Sequence, residues 1–227
     1  MANHEAMAEM KEHLKTLPLP DGVNKIVAGN GDPNSRVIFI GHSPSASDNH
    51  IGLPYSGPAG DLLDELMHEA DINHSEIYLT NLVKVWTWKD EREQRINRTP
   101  TMKEIKAWLP YVEQELTIIK PVAIVALGGT TAQFFLGKDF KITSSGNRWL
   151  EIPDTSPYLK LATLPKPKPW VMGLAQPSYL IHLQENSPES YMPTRVSLIE
   201  ALKKVKQILG GAEPQTDNSS NDEDIPF

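Results

Sequence analysis

The chain contains no cysteine. That absence excludes disulfides, thiolate metal sites, cysteine-held iron–sulfur clusters and a cysteine nucleophile. Aromatic residues are sparse, at 7% of 227 positions, whereas hydrophobic residues make up 39%, enough to core one α/β domain of ordinary size. No apolar run approaches the roughly 18 residues that a membrane span requires. Met1 to Lys15 is charged throughout and lacks the apolar stretch of a signal peptide, so the expected setting is cytoplasmic. An excess of positive charge is also missing: the formal net charge is −7, which counts against a phosphate-binding surface. Five of the acids, Glu213, Asp217, Asp222, Glu223 and Asp224, fall in residues 212–227 with no Lys or Arg, and the rest of the chain carries only −2. A nearly neutral domain can still present a local basic face.

What is present is alternation. Ala2 to Leu17 sets Met7, Met10, Leu14 and Leu17 at helical spacing and stops at Pro18 and Pro20. Arg36 to Ile40 is a continuous apolar run ending at Gly41, the pattern of a buried central strand. Gly57 to Asp71 returns to helical period, and Ile77-Tyr78-Leu79 reads as a second strand with a polar end at Thr80-Asn81. Thr101 to Ile119 is a predicted helix opened by a Thr101/Glu104 capping box. Pro121 to Leu127 is a third strand, followed by Gly128-Gly129 and a helix to Leu136. Leu161-Ala162-Thr163 is a candidate fourth strand, and Pro193 to Leu209 a last helix closed by Gly210-Gly211. The alternation predicts a three-layer α/β/α domain with a central, mostly parallel four-stranded sheet, spanning residues 1–211. Ligands of such sheets bind beyond the carboxyl ends of the strands, here Gly41 to Asn49, Asn81 to Lys84 and Gly128-Gly129. Residues 212–227 are polar and acidic and are expected to be a disordered tail.

Four blocks occur in order: Gly41-His42-Ser43-Pro44-Ser45 continuing through Asp48 to Gly52-Leu53-Pro54-Tyr55 and Gly57-Pro58-Ala59-Gly60; Thr80-Asn81-Leu82-Val83-Lys84; Pro121 through Leu136; and Gln176-Pro177-Ser178-Tyr179-Leu180. Together, over about residues 36 to 206, they resemble the uracil-DNA glycosylase superfamily, in particular the bacterial and archaeal branch that usually carries an iron–sulfur cluster. Gln94 to Pro100 and Leu136 to Phe140 are similar to segments of the variant branch that attaches covalently to DNA. The departures are informative. Val85 and Trp108 stand where that family has cluster-ligating cysteines, so no metal or other cofactor is expected and apolar packing must hold those loops. His42 stands for an acidic residue, Ser43 for Asp or Asn, Gln176 for the histidine of the closing loop, and Asn97 for the nucleophilic histidine of the covalent branch.

The resemblance implies a monomeric enzyme that flips a nucleotide from DNA and hydrolyses its N-glycosidic bond. Such chemistry needs a reader of the base edge, stabilisation of charge on the departing base, and a water beside C1′. Asn81 offers a donor and an acceptor for the pairing edge, Tyr55 an aromatic face, and Ser43 a base-proximal hydroxyl. Asp48, His42 and Gln176 are the catalytic candidates. His42 and Asp48 compete to hold the water, with the preference on Asp48, because an anion opposite a sugar cation helps in every protonation state of the water. Pro177 and Ser178 would grip a phosphate, and Leu180 would wedge into the vacated stack. Lys84, Arg95 and Arg98, interleaved with Trp86 and Trp88, are candidate DNA contacts. The targets left open are uracil, a modified pyrimidine of phage DNA as in antiviral defence, or no base at all in a silent DNA-binding module. The last residues, Asp224-Ile225-Pro226-Phe227 after Asp222-Glu223, resemble the tip of bacterial single-stranded-DNA-binding protein, and are expected to dock on the proteins that bind such tips.

Overall fold

The computed structural model describes residues 1–215. Its opening helix α1 (Ala2–Lys15) is followed by a two-residue strand β1 (Asn30–Gly31) and by β2 (Val37–Gly41). Short α2 (Ala46–Ile51) and α3 (Pro58–Glu69) lead to β3 (Tyr78–Asn81), and a hairpin follows, β4 (Trp88–Glu91) and β5 (Gln94–Asn97). Helix α4 (Met102–Ile119) precedes β6 (Ala123–Leu127), α5 (Gly129–Leu136) and a single turn α6 (Ile142–Ser145). The chain then returns through β7 (Trp170–Leu174) to α7 (Pro177–Asn186) and α8 (Pro188–Leu209).

The main sheet has the order β1-β3-β2-β6-β7. Its four longer strands are parallel neighbours, which is the expected core, and β1 adds a fifth, antiparallel edge through Asn30 opposite Leu79. The pleat explains the continuous apolar runs. Ile38, Ile40, Ile124 and Ala126 face one core with Met7, Met10, Val112 and Leu116. Val37, Phe39, Val125 and Leu127 face the other with Leu63, Leu66, Leu202 and Val205. A strand covered on both faces gains nothing from polar alternation. Chain order reverses about β2 and β6, so a crevice opens beyond their carboxyl ends, the usual ligand position in such sheets.

Leu161–Thr163 is not a strand. Leu161 is exposed, and the Thr163 backbone N–H donates to Glu113 Oε1 (2.9 Å) rather than to a neighbouring strand. The fourth parallel strand is Trp170–Leu174, hydrogen-bonded along β6. The last helix begins at Pro188 and carries Pro193 inside it. The hairpin of β4 and β5 turns through Arg92 and Glu93, both at positive φ, the geometry of a tight two-residue connection without its usual glycine.

Val85 is buried in the core and Trp108 packs against it, with its ring 5.6 Å from that of Tyr111. These positions do not fit an iron–sulfur cluster, since neither side chain is a ligand and the chain has no cysteine to substitute. Among the described residues, no helix is long and apolar enough to cross a membrane. Ala212 and Glu213, at the start of the acidic segment, accept hydrogen bonds from Arg36 Nη2 (3.0 and 2.9 Å). The peptide Asp224-Ile225-Pro226-Phe227 lies outside the described residues.

Candidate functional site

A cleft of about 330 Å³ opens beyond the strand ends. The loop after β2 contributes His42, Ser43 and Asp48, α3 and its approach contribute Tyr55, the hairpin contributes Asn97, and the turn into α7 contributes Gln176 and Ser178. Residues far apart in sequence thus meet because β2 and β7 end at the same edge of the main sheet, and the separate hairpin brings Asn97 to the loop after β2.

Asn81 ends β3 beside Gly41, the last residue of β2. It is 1% exposed, and neither its Oδ1 nor its Nδ2 has a hydrogen-bond partner. Leaving one buried polar group unpaired costs about 1–3 kcal/mol, and Asn81, which is not itself among the residues lining the cleft, bears that cost at both ends of its amide. Gly41 is what lets the cluster close. A methyl group placed there would lie 2.4 Å from both Asn81 Oδ1 and the Tyr55 hydroxyl. Tyr55, held at φ 55°, brings its hydroxyl to the Gln176 side chain. Its pKa is driven upward by burial first and by the nearby Asp48 second, so it remains a neutral phenol.

Asp48 is 4% exposed. It closes the capping box of α2 by accepting from the Ser45 backbone N–H (2.9 Å), and its other oxygen accepts from Ser56 N (2.7 Å) and Ser56 Oγ (2.9 Å). A carboxylate offers about four lone-pair directions, and three are filled here. Asp48 is therefore a fixed, buried negative charge at the cleft wall. His42 Nδ1 lies 2.8 Å from Ser43 Oγ, and Ser43 Oγ lies 2.9 Å from Thr87 Oγ1. Burial holds the His42 pKa below its ordinary value.

Several expected DNA contacts are placed elsewhere. Lys84 is fully buried: its ammonium donates to Glu115 Oε2 (2.7 Å), Thr80 Oγ1 (2.6 Å) and the Asn81 carbonyl (2.8 Å). It cannot reach a phosphate, and it instead braces the backbone of Asn81. Arg98 gives its Nε to the Trp88 carbonyl (2.9 Å) and its terminal nitrogens to Glu104 (2.8 and 2.6 Å) and the Thr99 carbonyl (3.1 Å). It ties the hairpin to α4 rather than pointing at DNA. Leu180 is 0% exposed in the core under α7, so it is no wedge in this conformation; Tyr179, 39% exposed, is the large side chain that the turn presents. Pro177 is buried, Ser178 is exposed, and Arg95 is exposed with its guanidinium stacked 4.0 Å from the Trp88 ring centroid.

The residues missing from the candidate set are Thr87 and Asn97. Asn97 Oδ1 accepts from Trp86 Nε1 (2.7 Å) and Ala46 N (3.3 Å), which leaves its NH2 group as the part available to the cleft. Its position in the inserted hairpin was a usable signal. Thr87 carried none, because its contacts come from residues 11 and 44 positions away.

The Arg98–Glu104 pair gives a testable pH dependence. Arg98 first, and Thr101 after it, hold the Glu104 carboxyl down at about 2. A depressed carboxylate contributes stability above its unfolded value, near 4.5, and loses that contribution as pH falls towards 2. Glu104→Gln should therefore lower the melting temperature at pH 7, with the gap from wild type closing as the pH is taken below 4 in roughly the window those two values define. A gap independent of pH would remove the ion pair from the account.

The profile of the Uracil DNA glycosylase superfamily matches residues 28–198. The chain is 34% identical over 140 residues to the "Type-4 uracil-DNA glycosylase" of Thermotoga maritima, covering 61% of this chain and 69% of that protein. It is 32% identical over 129 residues to the "Type-4 uracil-DNA glycosylase" of Pyrobaculum aerophilum, covering 57% and 62%. A longer match, 27% identical over 199 residues and covering 81% and 80%, is to the "Type-5 uracil-DNA glycosylase" of Thermus thermophilus.

Proposed function

This chain belongs to the uracil DNA glycosylase superfamily, and from that premise we propose that it hydrolyses the N-glycosidic bond of uracil in DNA and leaves an abasic site. The observation that carries this reading is Asn81, buried with both ends of its amide unpaired at the carboxyl edge of the sheet. A flipped pyrimidine presents an acceptor and a donor side by side, and would satisfy both ends at once. Gln176 and Tyr55 add polar groups near the same edge, and Asp48 sets a fixed negative charge by the sugar, where positive charge grows as the bond breaks. Arg95, Ser178 and Tyr179 are the exposed groups suited to holding the flanking strand.

A second reading stays within the same chemistry. Of the six positions that depart from the superfamily pattern, four, His42, Ser43, Asn97 and Gln176, line the cleft. Substitutions gathered around the base position favour an altered base, such as a modified pyrimidine marking phage DNA. One assay separates these readings. Duplex and single-stranded oligonucleotides carrying uracil or 5-substituted pyrimidines are incubated with the protein, and abasic sites are cleaved with alkali. Cleavage confined to uracil supports the first reading, and cleavage confined to a 5-substituted base supports the second. Intact strands throughout would leave a DNA-binding module without activity. The Asp224–Phe227 peptide is proposed to recruit proteins rather than DNA, since the neighbouring acids repel phosphate. Deleting Phe227 should abolish recovery of partner proteins in a pull-down and leave excision of naked DNA unchanged; equal recovery with and without Phe227 would remove the docking role.

A further inference from the structure

We infer that Thr87 is a positioning residue that acts through Ser43 to fix His42 in the tautomer whose Nε2 takes a proton from the attacking water. The inference rests on the glycosylase reading above and adds to it the group that activates the water.

The argument is a count of protons along one chain of hydrogen bonds. Thr87 Oγ1 lies 2.6 Å from the Arg98 carbonyl oxygen, which can only accept, so the single Thr87 hydroxyl proton points there. Ser43 Oγ, 2.9 Å from Thr87 Oγ1, must then be the donor in that contact. With its proton directed at Thr87, Ser43 can only accept from His42 Nδ1 at 2.8 Å. His42 Nδ1 therefore carries hydrogen, and in the neutral ring Nε2 is left with its lone pair. Among the described residues, no hydrogen bond to Nε2 occurs, and His42 lines the cleft. The carbonyl that sets the direction is itself held, because the Arg98 side chain is clamped by Glu104 and by the Trp88 and Thr99 carbonyls.

Asp48 is the competing water holder, and three of its acceptor positions already go to Ser45 and Ser56. The division of labour follows. Asp48 supplies negative charge to the sugar cation and to an imidazolium, while His42 handles the proton. In the step, the water oxygen bonds to C1′ and one water proton passes to His42 Nε2. The C1′–N bond breaks with its electron pair on the base, and solvent then protonates the base and takes the proton from the imidazolium. The other titratable groups lining the cleft are Asp48, on the loop and short helix after β2, and Tyr55. The Arg98 guanidinium behind Thr87 is neutralised by Glu104. Burial keeps His42 neutral at pH 7, so excision should fall as pH drops through that lowered pKa.

The test uses the full chain. Long-range proton–nitrogen spectra of the wild type, taken above the His42 pKa, report the tautomer without any substrate. Thr87→Val keeps the shape and removes the hydroxyl; Thr87→Ser restores it. Expected are the Nδ1–H tautomer in wild type and in Thr87→Ser, and its loss in Thr87→Val. The rate constant kcat of Thr87→Val should fall about tenfold with KM little changed, a part of the roughly 10²–10⁴ that a general base contributes. His42→Ala should abolish the acidic limb of the pH profile. An Nε2–H tautomer in wild type, or Thr87→Val turning over like wild type with the same limb, overturns the proposal. A wild type that excises no base overturns the glycosylase reading and the catalytic role of His42 together, and the spectra tell that failure from a failure of the relay.

Discussion

Replacing Asn81 with alanine should reduce base excision at least tenfold and barely change the melting temperature. The two halves of that expectation have one cause. In the wild type the amide is buried, and both of its polar ends lack partners, so the free protein gains no hydrogen bonds from it. Removal takes away a desolvation cost of about 1–3 kcal/mol per group and leaves a small void of partly opposing cost. The bound base loses both edge contacts, and about 1.4 kcal/mol of lost transition-state binding is already a factor of ten in rate. Asn81→Asp sharpens the test, because a carboxylate keeps the size but offers only acceptors, and should fail against a base edge that needs a donor. Single-turnover excision and thermal melts on both variants give the outcome. An Asn81→Ala protein as active as wild type would remove this residue from the site, and with it the main support for base recognition.

Lys84→Met should destabilise the domain by about 3–5 kcal/mol, the usual cost of stripping one partner from a buried ion pair. For a domain of this size that corresponds to a melting temperature roughly 10 °C lower. The ammonium and the Glu115 carboxylate are both 0% exposed, 2.7 Å apart, with Thr80 and the Asn81 carbonyl completing the lysine's donors. Burial pulls the lysine pKa down, and Glu115 opposes that pull. Removing the lysine leaves the Glu115 carboxylate with hydrogen bonds from Thr80 and Tyr78 and with the more distant Lys11 charge. The double variant Lys84→Met/Glu115→Leu should regain much of the lost stability, since no unpaired charge remains. Excision should stay low in the double variant, because the Asn81 backbone has lost its brace. Recovery of activity along with stability would show that the pair serves packing alone, and an unchanged melting temperature in Lys84→Met would contradict the burial itself.

The sheet was legible where local composition and tertiary environment agree. Val37 to Ile40 and Ala123 to Leu127 are apolar at every position because both faces are covered, and such runs announce a central strand whatever surrounds them. Trp170–Leu174 carries a weak strand signal, because a proline-rich stretch precedes it and a glycine interrupts it. Gly173 is there for a tertiary reason, since a methyl group at that position would meet the Phe140 ring at 2.7 Å. His42, Asp48 and Asn81 fall in the segments after strands, where this sheet architecture puts its ligands, whereas Tyr55 and Gln176 could be picked out only through the resemblance to the superfamily.

The sequence by itself thus determined the α/β architecture, the edge of the sheet that carries the cleft, and the absence of any cysteine-bound group. Only the tertiary structure decided what the polar side chains there do. Lys84 and Arg98 read as a basic patch because charge is visible in sequence, yet their roles depend on Glu115, 31 positions away in sequence, and on Glu104. Leu180 and Tyr179 are adjacent in sequence, and the packing of α7 against α3 and α8 chooses which is buried. The proton order from Arg98 through Thr87 and Ser43 to His42 exists only where three chain segments meet. Apolar periodicity is a local property that burial rewards residue by residue, whereas a polar group acquires its function from the one partner that satisfies it, and that partner is fixed by the fold.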